Sequence, residues 1–558
     1  MQGDISERRI PLPPDFPVEW ADPHEADRFF ERESQHFPGQ MSTLELALAD
    51  ILFRGFNGGC EHYGLPVRNT FKGFNTYGYQ SIAPISHDHE ELEKLGRAAV
   101  GKTSATFGHM VDTWEDEQLP EIKKLIEFWD AFDASSASNT ELAEHLDGSI
   151  ERLNRAWLIH FHVVVPVLLG TSMFDDFYTE IFGGEDGFAA YRLLQGLDNM
   201  SLKADRALYA LSESARASAD VRSALGLADT AAVLGALDGS DEGRTFRTEL
   251  NGFLEEFGKR HDGHVSASKP SWTEDPTPVL DNVRDYVEQP ERDPRAEQAA
   301  HMAERERELA DARTKLAGKP AEVRERFELL LKAGQDGTVL QEDHNFWIDG
   351  RVAHETRQLV VALGARLEAD GVIASADDVI HLTLEEIRGG LSGGDLSGSV
   401  AEHKAHLARF ADVAEPPVLG TFPPGPPPDD PIARAVFKMF GAPPPPSEET
   451  EVLTGMSGSA GVARVRARVI SSLAEAGDLV EGEVLVTATT SPPWTPLFAT
   501  AAAVVTDTDG ILSHCPVVAR EYAIPAVVGT KRATAAIQTG DVLEVDGDAG
   551  TVRISEGT

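Results

Sequence analysis

Cysteine and basic side chains are scarce in this sequence. The chain has 558 residues but two cysteines, Cys60 and Cys515, which are far apart in sequence and do not indicate a disulfide framework or a structural zinc site. Its 50 Lys and Arg residues stand against 92 Asp and Glu residues, which gives a net charge of -42. A surface this acidic repels nucleic acid and anionic lipid, so we expect neither nucleic acid nor a membrane as a partner.

Long apolar runs are also missing from the pattern. We expect no stretch long enough to span a bilayer, and the N-terminal "MQGDISERRIPLPPDF" lacks the apolar part of a signal peptide. The expected location is therefore the cytoplasm. A composition of 41% apolar and 25% charged residues is that of a soluble globular chain. The length predicts about two to four domains.

A glycine loop that cradles phosphate groups is not evident either. The glycines of "RGFNGGCEHYG", residues 54–64, fit neither a P-loop nor a dinucleotide-binding fingerprint.

What is present is a long helical pattern followed by a change of composition. Residues 1–412 repeat apolar positions at spacings of three and four, as in "TELAEHLDGSIERLNRAWLIHFHVVVPVLL". Residues 413–450 are rich in proline, which is typical of a semi-rigid hinge, although "IARAVFKMF" within them predicts one or two helical turns. Residues 451–558 contain short β-branched runs separated by glycine and proline, which predicts a compact α/β domain. The predicted fold class is α+β and multidomain.

One histidine of the α/β domain lies where a helix is predicted to begin. Ser513 suits the N-cap, Pro516 suits the first turn, and "VVAREY" continues the helix, so the helix should start at His514. Free backbone N–H groups and the helix dipole favour a phosphoryl group at this position. Neutral imidazole is also a competent nucleophile near pH 7. Judged by spacing alone, a capping or packing role for His514 is the commoner outcome.

A resemblance favours the catalytic interpretation. The stretch "TDGILSHCPVVAREYAIPAVVG" resembles the phosphohistidine signature of the mobile, swivelling domain of PEP-utilising enzymes. The segments "GMSGSAGVARVRARVI" and "VTATTSPPWTPLFATAAAVVTD" resemble the same domain, most closely that of rifampin phosphotransferase. The resemblance implies that His514 is transiently phosphorylated. Many members have two glycines at the start of the signature, where this chain has Asp509 and Gly510.

The helical region is similar to the same group of enzymes, in "FLEEFGKRHDGHVSASKPSWTEDPTPVL" and in the stretch that begins "LQEDHNFWIDGRVAHETRQL". In rifampin phosphotransferases this part binds the phosphoryl acceptor, so the resemblance implies an acceptor-binding role for the helical region. We expect no ATP-grasp domain and no pyruvate-binding barrel in this sequence. A chain with an acceptor region and a phosphohistidine domain but no ATP-grasp domain resembles the histidine-bearing subunit of phenylphosphate synthase and of p-cresol (4-methylphenyl) phosphate synthase. It implies a separate ATP-grasp subunit that binds ATP and Mg²⁺ and phosphorylates His514.

The acceptor site has several candidate residues in "QEDHNFW". Glu342 or His344 could take the proton of an attacking hydroxyl, and Arg351 is a candidate clamp for phosphoryl oxygens. On an α-helix Glu342 and His344 lie about 200° apart, so both can point at one substrate only if the segment is bent. A buried polar network that ties helices together is an equally good interpretation of these residues.

Other candidates are weaker on their own. Lys259 and Arg260 could bind an anion or could be a surface pair, and Arg520 could face a phosphate or a carboxylate. The remaining candidates are the aromatic side chains Tyr77 and Tyr79, which could line a substrate wall or pack in the core.

We expect no metal site. The histidines of "HFH", His160 and His162, point about 200° apart on a helix and so do not form a pair of ligands.

Three functions remain open on the sequence. The leading hypothesis is a phosphotransferase component that carries a phosphoryl group on His514 to a phenolic hydroxyl, such as that of phenol or p-cresol. The second is transfer to another hydroxylated compound, such as an antibiotic. The third is a non-catalytic phosphorelay carrier, against which the size of the helical region argues.

Overall fold

The computed structural model describes residues 8–260, 263, 265, 267–290, 292–425, 428–441 and 452–555. It contains a large helical region, a small antiparallel sheet and a compact α/β domain, which confirms the predicted fold class. The helices of the helical region are α1 (Thr43–Tyr63), α2 (His89–Ser104), α3 (Met110–Thr113), α4 (Leu119–Asp130), α5 (Asn139–Phe182), α6 (Ala189–Arg192), α7 (Met200–Ala217), α8 (Ala219–Leu225), α9 (Thr230–Leu237), α10 (Asp241–Phe257), α11 (Thr277–Glu288), α12 (Pro294–Leu316), α13 (Ala321–His344), α14 (Ala353–Ala369), α15 (Leu384–Gly390) and α16 (Ser397–Arg409). Two π-helical segments, Trp114–Gln118 and Asn345–Val352, join α3 to α4 and α13 to α14.

Glycines set the spacing between the two central helices. A Cβ atom at Gly55 of α1 would lie 2.7 Å from the backbone carbonyl carbon of Trp157 in α5, and one at Gly59 would lie 2.6 Å from the Cβ of Phe161. The glycines of the segment that lacks a phosphate loop therefore let α1 and α5 approach closely. Helix α5 also packs along α13, which carries Glu342. The close approach of α1 and α5 therefore supports the helix on which α13 packs.

A proline interrupts the hydrogen bonds of α5 without ending the helix. Pro166 has no N–H group, so the carbonyl of His162, four residues earlier, loses its usual helical partner. The hydroxyl of Tyr63 donates to this carbonyl at 2.7 Å. The replacement bond ties the end of α1 to the middle of α5.

Helix α5 corrects one expectation from the sequence. It contains an 18-residue window with a mean hydropathy of 1.6, long and apolar enough to cross a membrane by length and composition alone. Within the protein, 72% of that window is buried, as is common for the core helix of a globular domain.

Substitution of Gly55 should measure how tightly α1 and α5 pack. We expect Gly55→Ala to lower the free energy of unfolding by about 1–3 kcal/mol, because the methyl group meets the Trp157 backbone and forces the helices apart. Gly101→Ala in α2 is the matched control, since its methyl group meets no atom within 4 Å and should be neutral or stabilising. Thermal unfolding of both variants checks this, and equal midpoints would contradict it.

The small sheet joins segments that are distant in sequence. Its order is β2-β3-β1-β4, from β1 (Phe29–Arg32), β2 (Val67–Phe74), β3 (Tyr77–Pro84) and β4 (Val418–Gly420), and its strands pair antiparallel. Asn75 and Thr76 make the β2–β3 turn with φ angles of 50° and 76°, so both lie in the left-handed region that tight hairpin turns require. This sheet was not predicted, because the sequence pattern around it is dominated by helices.

The segment predicted as a hinge is ordered in two places. Its strand β4 pairs with β1, and its helix α17 (Pro431–Phe440) packs on α5. Lys438 of α17 pairs with Asp175 and Asp176 of α5 at 2.6 and 2.7 Å. Much of this proline-rich segment is thus fastened to the helical region, while residues 442–451 lie outside the described residues.

The α/β domain contains an eight-stranded sheet of order β5-β12-β11-β7-β8-β9-β10-β6. Its central strands β7 to β10 run parallel, and the other pairs are antiparallel. The elements are β5 (Val452–Thr454), β6 (Met456–Ser459), β7 (Val462–Val469), β8 (Val484–Thr487), α18 (Leu497–Thr500), β9 (Ala503–Thr506), α19 (His514–Glu521), β10 (Ala526–Val528), α20 (Ala533–Ala536), β11 (Val542–Asp546) and β12 (Thr551–Ser555).

Candidate active site

His514 lies at the start of α19, after the loop that follows the carboxyl end of β9. This confirms the predicted helix start. In a parallel sheet the crevice at the carboxyl ends of the strands is the usual place for ligands, because helix N-termini meet there. Ser513 has the extended backbone of an N-cap, but its hydroxyl donates to the carbonyl of Gly510 at 2.9 Å and does not cap the helix.

The imidazole of His514 is buried between the α/β domain and the helical region. Its Nδ1 lies 3.5 Å from Oε1 of Glu342, at the end of α13, and its Nε2 lies 3.4 Å from the hydroxyl of Thr495. The side chains of His514 and Glu342 are 6% and 2% exposed. The structure therefore brings together two of the three residues that the sequence predicted as catalytic, from segments more than 170 positions apart.

Glu342 remains ionised in this buried position. Burial alone raises the pKa of its carboxyl, but the interaction with His514 and a hydrogen bond from the Ser201 hydroxyl outweigh burial and hold the pKa below its ordinary value. Its Oε2 accepts the Ser201 bond, whereas Oε1 has no hydrogen-bond partner among the described residues. A carboxylate oxygen thus faces the imidazole and is available to a proton donor.

Arg260 is a buried cation whose charge interacts with that of Glu342. Burial lowers the pKa of its guanidinium to about 10, and the negative charge of Glu342 opposes that shift, so Arg260 stays protonated at neutral pH. The guanidinium lies 4.2 Å from the ring centre of Trp272. Arg260 is therefore part of the site, whereas its neighbour Lys259 is half-buried.

His344 is poorly suited to accept the proton of an attacking hydroxyl. Its Nδ1 lies 2.5 Å from the carbonyl of Leu340, and its Nε2 lies 3.9 Å from Asp349. Burial lowers the pKa of its ring to about 4, which makes it a weak base at neutral pH. Of the two predicted bases, Glu342 alone contacts His514 among the residues described.

The other predicted phosphate ligands are occupied by protein groups. Arg351 pairs with Asp130 and Glu355, both at 2.8 Å. Arg520 is buried and donates to the carbonyls of Gly458 and Ile511 at 3.0 and 3.1 Å. A phosphate would have to displace these acceptors, so neither guanidinium is poised as the predicted clamp.

Tyr77 and Tyr79 belong to the core of the small sheet. The Tyr79 hydroxyl donates to the carbonyl of Pro416 at 2.7 Å, and the Tyr77 hydroxyl donates to that of Phe410 at 3.2 Å. Both rings are buried in a hydrophobic cluster of their own, with Phe16 among its members. Of the two interpretations of these tyrosines, the structure therefore has core packing and not a substrate wall, and the rings hold the proline-rich segment against the sheet.

The comparisons with known proteins agree with this geometry. The family described as "PEP-utilising enzyme, mobile domain" matches residues 479–550, which include His514. The family described as "Rifampicin phosphotransferase fourth domain" matches residues 160–342, which end at Glu342. The two sides of the interface thus match two domains of related enzymes.

The chain carries the mobile domain of the PEP-utilising enzyme family.

Its relatives are longer proteins. The chain is 36% identical to chondramide synthase cmdD of Chondromyces crocatus over 98% of its own length, which is 14% of that protein. It is 28% identical to the uncharacterized phosphotransferase YvkC of Bacillus subtilis over 80% of its length, 52% of that protein. It is 30% identical to a rifampicin phosphotransferase of Streptomyces sviceus over 56% of its length, 35% of that protein. The chain therefore spans about half or less of each of these relatives.

In this protein, the end of the proline-rich segment contacts the loop that precedes His514 directly. The N–H of Gly510 donates to the carbonyl of Met439 at 2.9 Å, and the N–H of Leu512 donates to that of Lys438 at 2.8 Å. Helix α17 therefore connects α5 on one side to the loop before His514 on the other. Further polar contacts across the interface join Tyr522 to Asp205. The mobile domain is docked on the helical region through these bonds.

Asp509 is an unusual residue in this loop. Its φ angle of 81° lies in the left-handed region, where glycine is favoured, and its side chain is 1% exposed. Burial raises the pKa of its carboxyl to about 6, and the charge of His514 opposes the shift. Lys531, His36 and Cys515 are the other titratable groups whose charges interact with it.

The raised pKa of Asp509 should make stability depend on pH. An unfolded aspartate releases its proton near pH 4, whereas the folded one holds it to about pH 6, so its contribution to stability is present below pH 4 and is lost as the pH rises to 6. The difference between a pKa of about 4 in the unfolded chain and about 6 in the folded one corresponds to roughly 3 kcal/mol of folding free energy. We expect Asp509→Asn, which tolerates the same φ, to be more stable than wild type above pH 6 and to lose this difference near pH 4. Urea unfolding at both pH values measures it, and a constant difference would contradict it.

Several residues of the site escaped the sequence analysis. Thr495 and Ser201 carry hydroxyls that no spacing pattern marks, and Asp349 joins His344 and His160 in a buried cluster. The sequence pattern led us to consider His160 only with His162, and the signal that could have found Asp349 is its charge within an otherwise apolar helical run.

Proposed function

We propose that this chain is a phosphotransferase component that carries a phosphoryl group on His514 and transfers it to a hydroxyl group of a small molecule. The observation that carries the proposal is the approach of Glu342 to His514 across the domain interface, 3.5 Å from ring to carboxylate. The names of the relatives YvkC and rifampicin phosphotransferase support the same reaction class.

The geometry supports a specific division of roles. The phosphoryl group would be carried on a ring nitrogen of His514, with the Glu342 carboxylate beside Nδ1 and the Thr495 hydroxyl beside Nε2. The acceptor oxygen attacks phosphorus, the P–N bond breaks, and its electron pair returns to the imidazole nitrogen. Glu342 accepts the proton of the hydroxyl. Arg260 balances the negative charge that gathers at the carboxylate.

The donor is proposed to be bound elsewhere. Near His514, the guanidinium of Arg520 is engaged by the carbonyls of Gly458 and Ile511 and is not poised to bind a nucleoside triphosphate. We therefore propose that ATP and Mg²⁺ are bound by a separate ATP-grasp subunit that phosphorylates His514 in the cytoplasm.

The acceptor is proposed to be a phenol of the phenol or p-cresol type, which would make the product an aryl phosphate. The resemblance to aryl phosphate synthases supports it. A larger hydroxylated compound, such as an antibiotic, is the second candidate, since a rifampicin phosphotransferase is 30% identical over 56% of the chain.

An acceptor panel tests the proposal without the donor subunit. The chain is phosphorylated chemically with ³²P-phosphoramidate, freed of reagent and mixed with phenol, p-cresol or hydroxylated antibiotics. We expect label to pass from His514 to p-cresol or phenol, and passage to an antibiotic alone would favour the second candidate. Label that remains on the protein with every acceptor would refute transfer and leave a phosphorelay carrier.

A further inference from the structure

A buried cluster of metal-binding side chains lies on the helical side of the interface. His160 of α5, and His344 and Asp349 at the junction of α13 with the π-helical segment, present one nitrogen or oxygen atom each, all within 4.8 Å of one another. The Nδ1 of His160 lies 3.1 Å from one Asp349 oxygen, and the Nε2 of His344 lies 3.9 Å from the other. All three side chains are buried.

Hydrogen bonding fixes the tautomer of His344. The carbonyl of Leu340 can only accept, so the proton of the neutral ring must be on Nδ1, 2.5 Å from that oxygen. The Nε2 atom then carries a lone pair directed at the carboxylate of Asp349. A lone pair facing a carboxylate is unfavourable, and a cation bound between them would remove the repulsion. A histidine whose second nitrogen donates to a backbone carbonyl is also the common arrangement of a metal ligand.

The π-helical segment explains why these residues meet. In an α-helix, residues five apart are rotated about 140° from each other, which would send His344 and Asp349 to different faces. The segment Asn345–Val352 has the wider π-helical turn, in which residues five apart come to the same side. The sequence expectation of no metal site assumed α-helical geometry and considered His160 only with His162. Those two rings do diverge, since His162 packs against His62, with 4.1 Å between ring centres.

We propose that His160, His344 and Asp349 bind a divalent transition-metal ion of the zinc class. Two imidazoles and one carboxylate form the donor set of many zinc sites, whereas Mg²⁺ prefers oxygen ligands. Tetrahedral ligands about 2.0–2.1 Å from zinc lie about 3.4 Å apart, close to the 3.1 and 3.9 Å separations of this cluster.

The ion would affect phosphoryl transfer by holding Glu342 in position. It would fasten α5 to the junction of α13 with the π-helical segment, and Glu342 stands two residues before His344 at that junction. The proposal concerns binding of a metal ion, and it does not depend on phosphoryl transfer.

Zinc binding by the purified chain tests the proposal. The protein is stripped with a chelator and titrated with Zn²⁺ against a chromogenic competitor, with millimolar Mg²⁺ present to occupy surface carboxylates. We expect one tight site in wild type. His160→Gln and Asp349→Asn should each weaken it by about 100-fold or more, since each removes a ligand. His162→Gln, two residues away but outside the cluster, is the matched control and should bind like wild type.

X-ray absorption of zinc-loaded wild type gives an answer that does not depend on folding of the variants. We expect a ligand shell with two imidazoles. A shell of oxygen atoms alone, or equal zinc affinity in wild type, His160→Gln and Asp349→Asn, would overturn the proposal. Absence of zinc binding in wild type would show a hydrogen-bonded network in its place.

Discussion

Replacement of Glu342 by glutamine is expected to slow phosphoryl transfer from His514 to an acceptor hydroxyl by about 100-fold or more. The amide keeps the shape of the side chain but cannot accept the proton that the hydroxyl releases. Because Glu342 is buried and its Oε1 lies 3.5 Å from the imidazole, water is poorly placed to replace it. The measurement is the single-turnover loss of label from chemically phosphorylated protein after addition of p-cresol.

Two controls separate proton transfer from positioning. Asp343→Asn changes the adjacent carboxylate, which accepts the N–H of Met200 at 2.8 Å, and should keep the wild-type rate. A series of phenols of falling pKa should show a shrinking defect in Glu342→Gln, because an ionised acceptor needs no base. A defect of the same size for every phenol would assign Glu342 to positioning, and a wild-type rate with p-cresol would remove it from the mechanism.

The second large effect is expected at Gly510. A Cβ atom there would lie 2.3 Å from the carbonyl oxygen of Lys438 and 2.8 Å from the carbonyl carbon of Met439. Gly510→Ala should therefore break the two hydrogen bonds between α17 and the loop that precedes His514. At about 0.5–1.5 kcal/mol for each bond and about 1–3 kcal/mol for the clash, the cost is about 2–6 kcal/mol, so the equilibrium constant for docking should fall roughly 30- to 25,000-fold.

Two kinds of measurement test Gly510→Ala: the rate of label transfer and the exposure of His514. The rate of label transfer to p-cresol should fall, while chemical phosphorylation of His514 should become faster because the undocked imidazole is exposed. Hydrogen exchange should increase in residues 431–441 and 507–513. Gly101→Ala, whose methyl group meets no atom within 4 Å, controls for the extra methyl group. Unchanged exchange and transfer would mean that α17 does not hold the mobile domain.

The sequence was informative where local chemistry decides the structure. Ser513, His514 and Pro516 predict a helix start that depends on a few adjacent residues, and the structure has it there. The change from helical to β-branched patterns likewise predicts the α/β domain. Features that depend on distant pairing were not accessible, such as strand β4, which joins β1 from nearly 390 residues away.

The candidate site was predicted less completely than the fold. The helical-wheel argument that separated Glu342 from His344 assumed an α-helix. The π-helical segment that follows breaks this assumption and brings Asp349 to the same side as His344. Arg351 and Arg520 were natural phosphate ligands by charge, yet protein oxygens already engage both of them. In a chain with 92 acidic and 50 basic residues, an arginine is more easily paired than free.

The most direct test of the account is the position of the phosphoryl group that leaves the protein. After chemical phosphorylation with ³²P-phosphoramidate, label is mapped by alkaline peptide digestion before and after addition of p-cresol. We predict that acid-labile label on the peptide containing His514 disappears as labelled aryl phosphate appears, while label on other histidines stays. Formation of product with the His514 label unchanged, or by His514→Asn at the wild-type rate, would contradict the account.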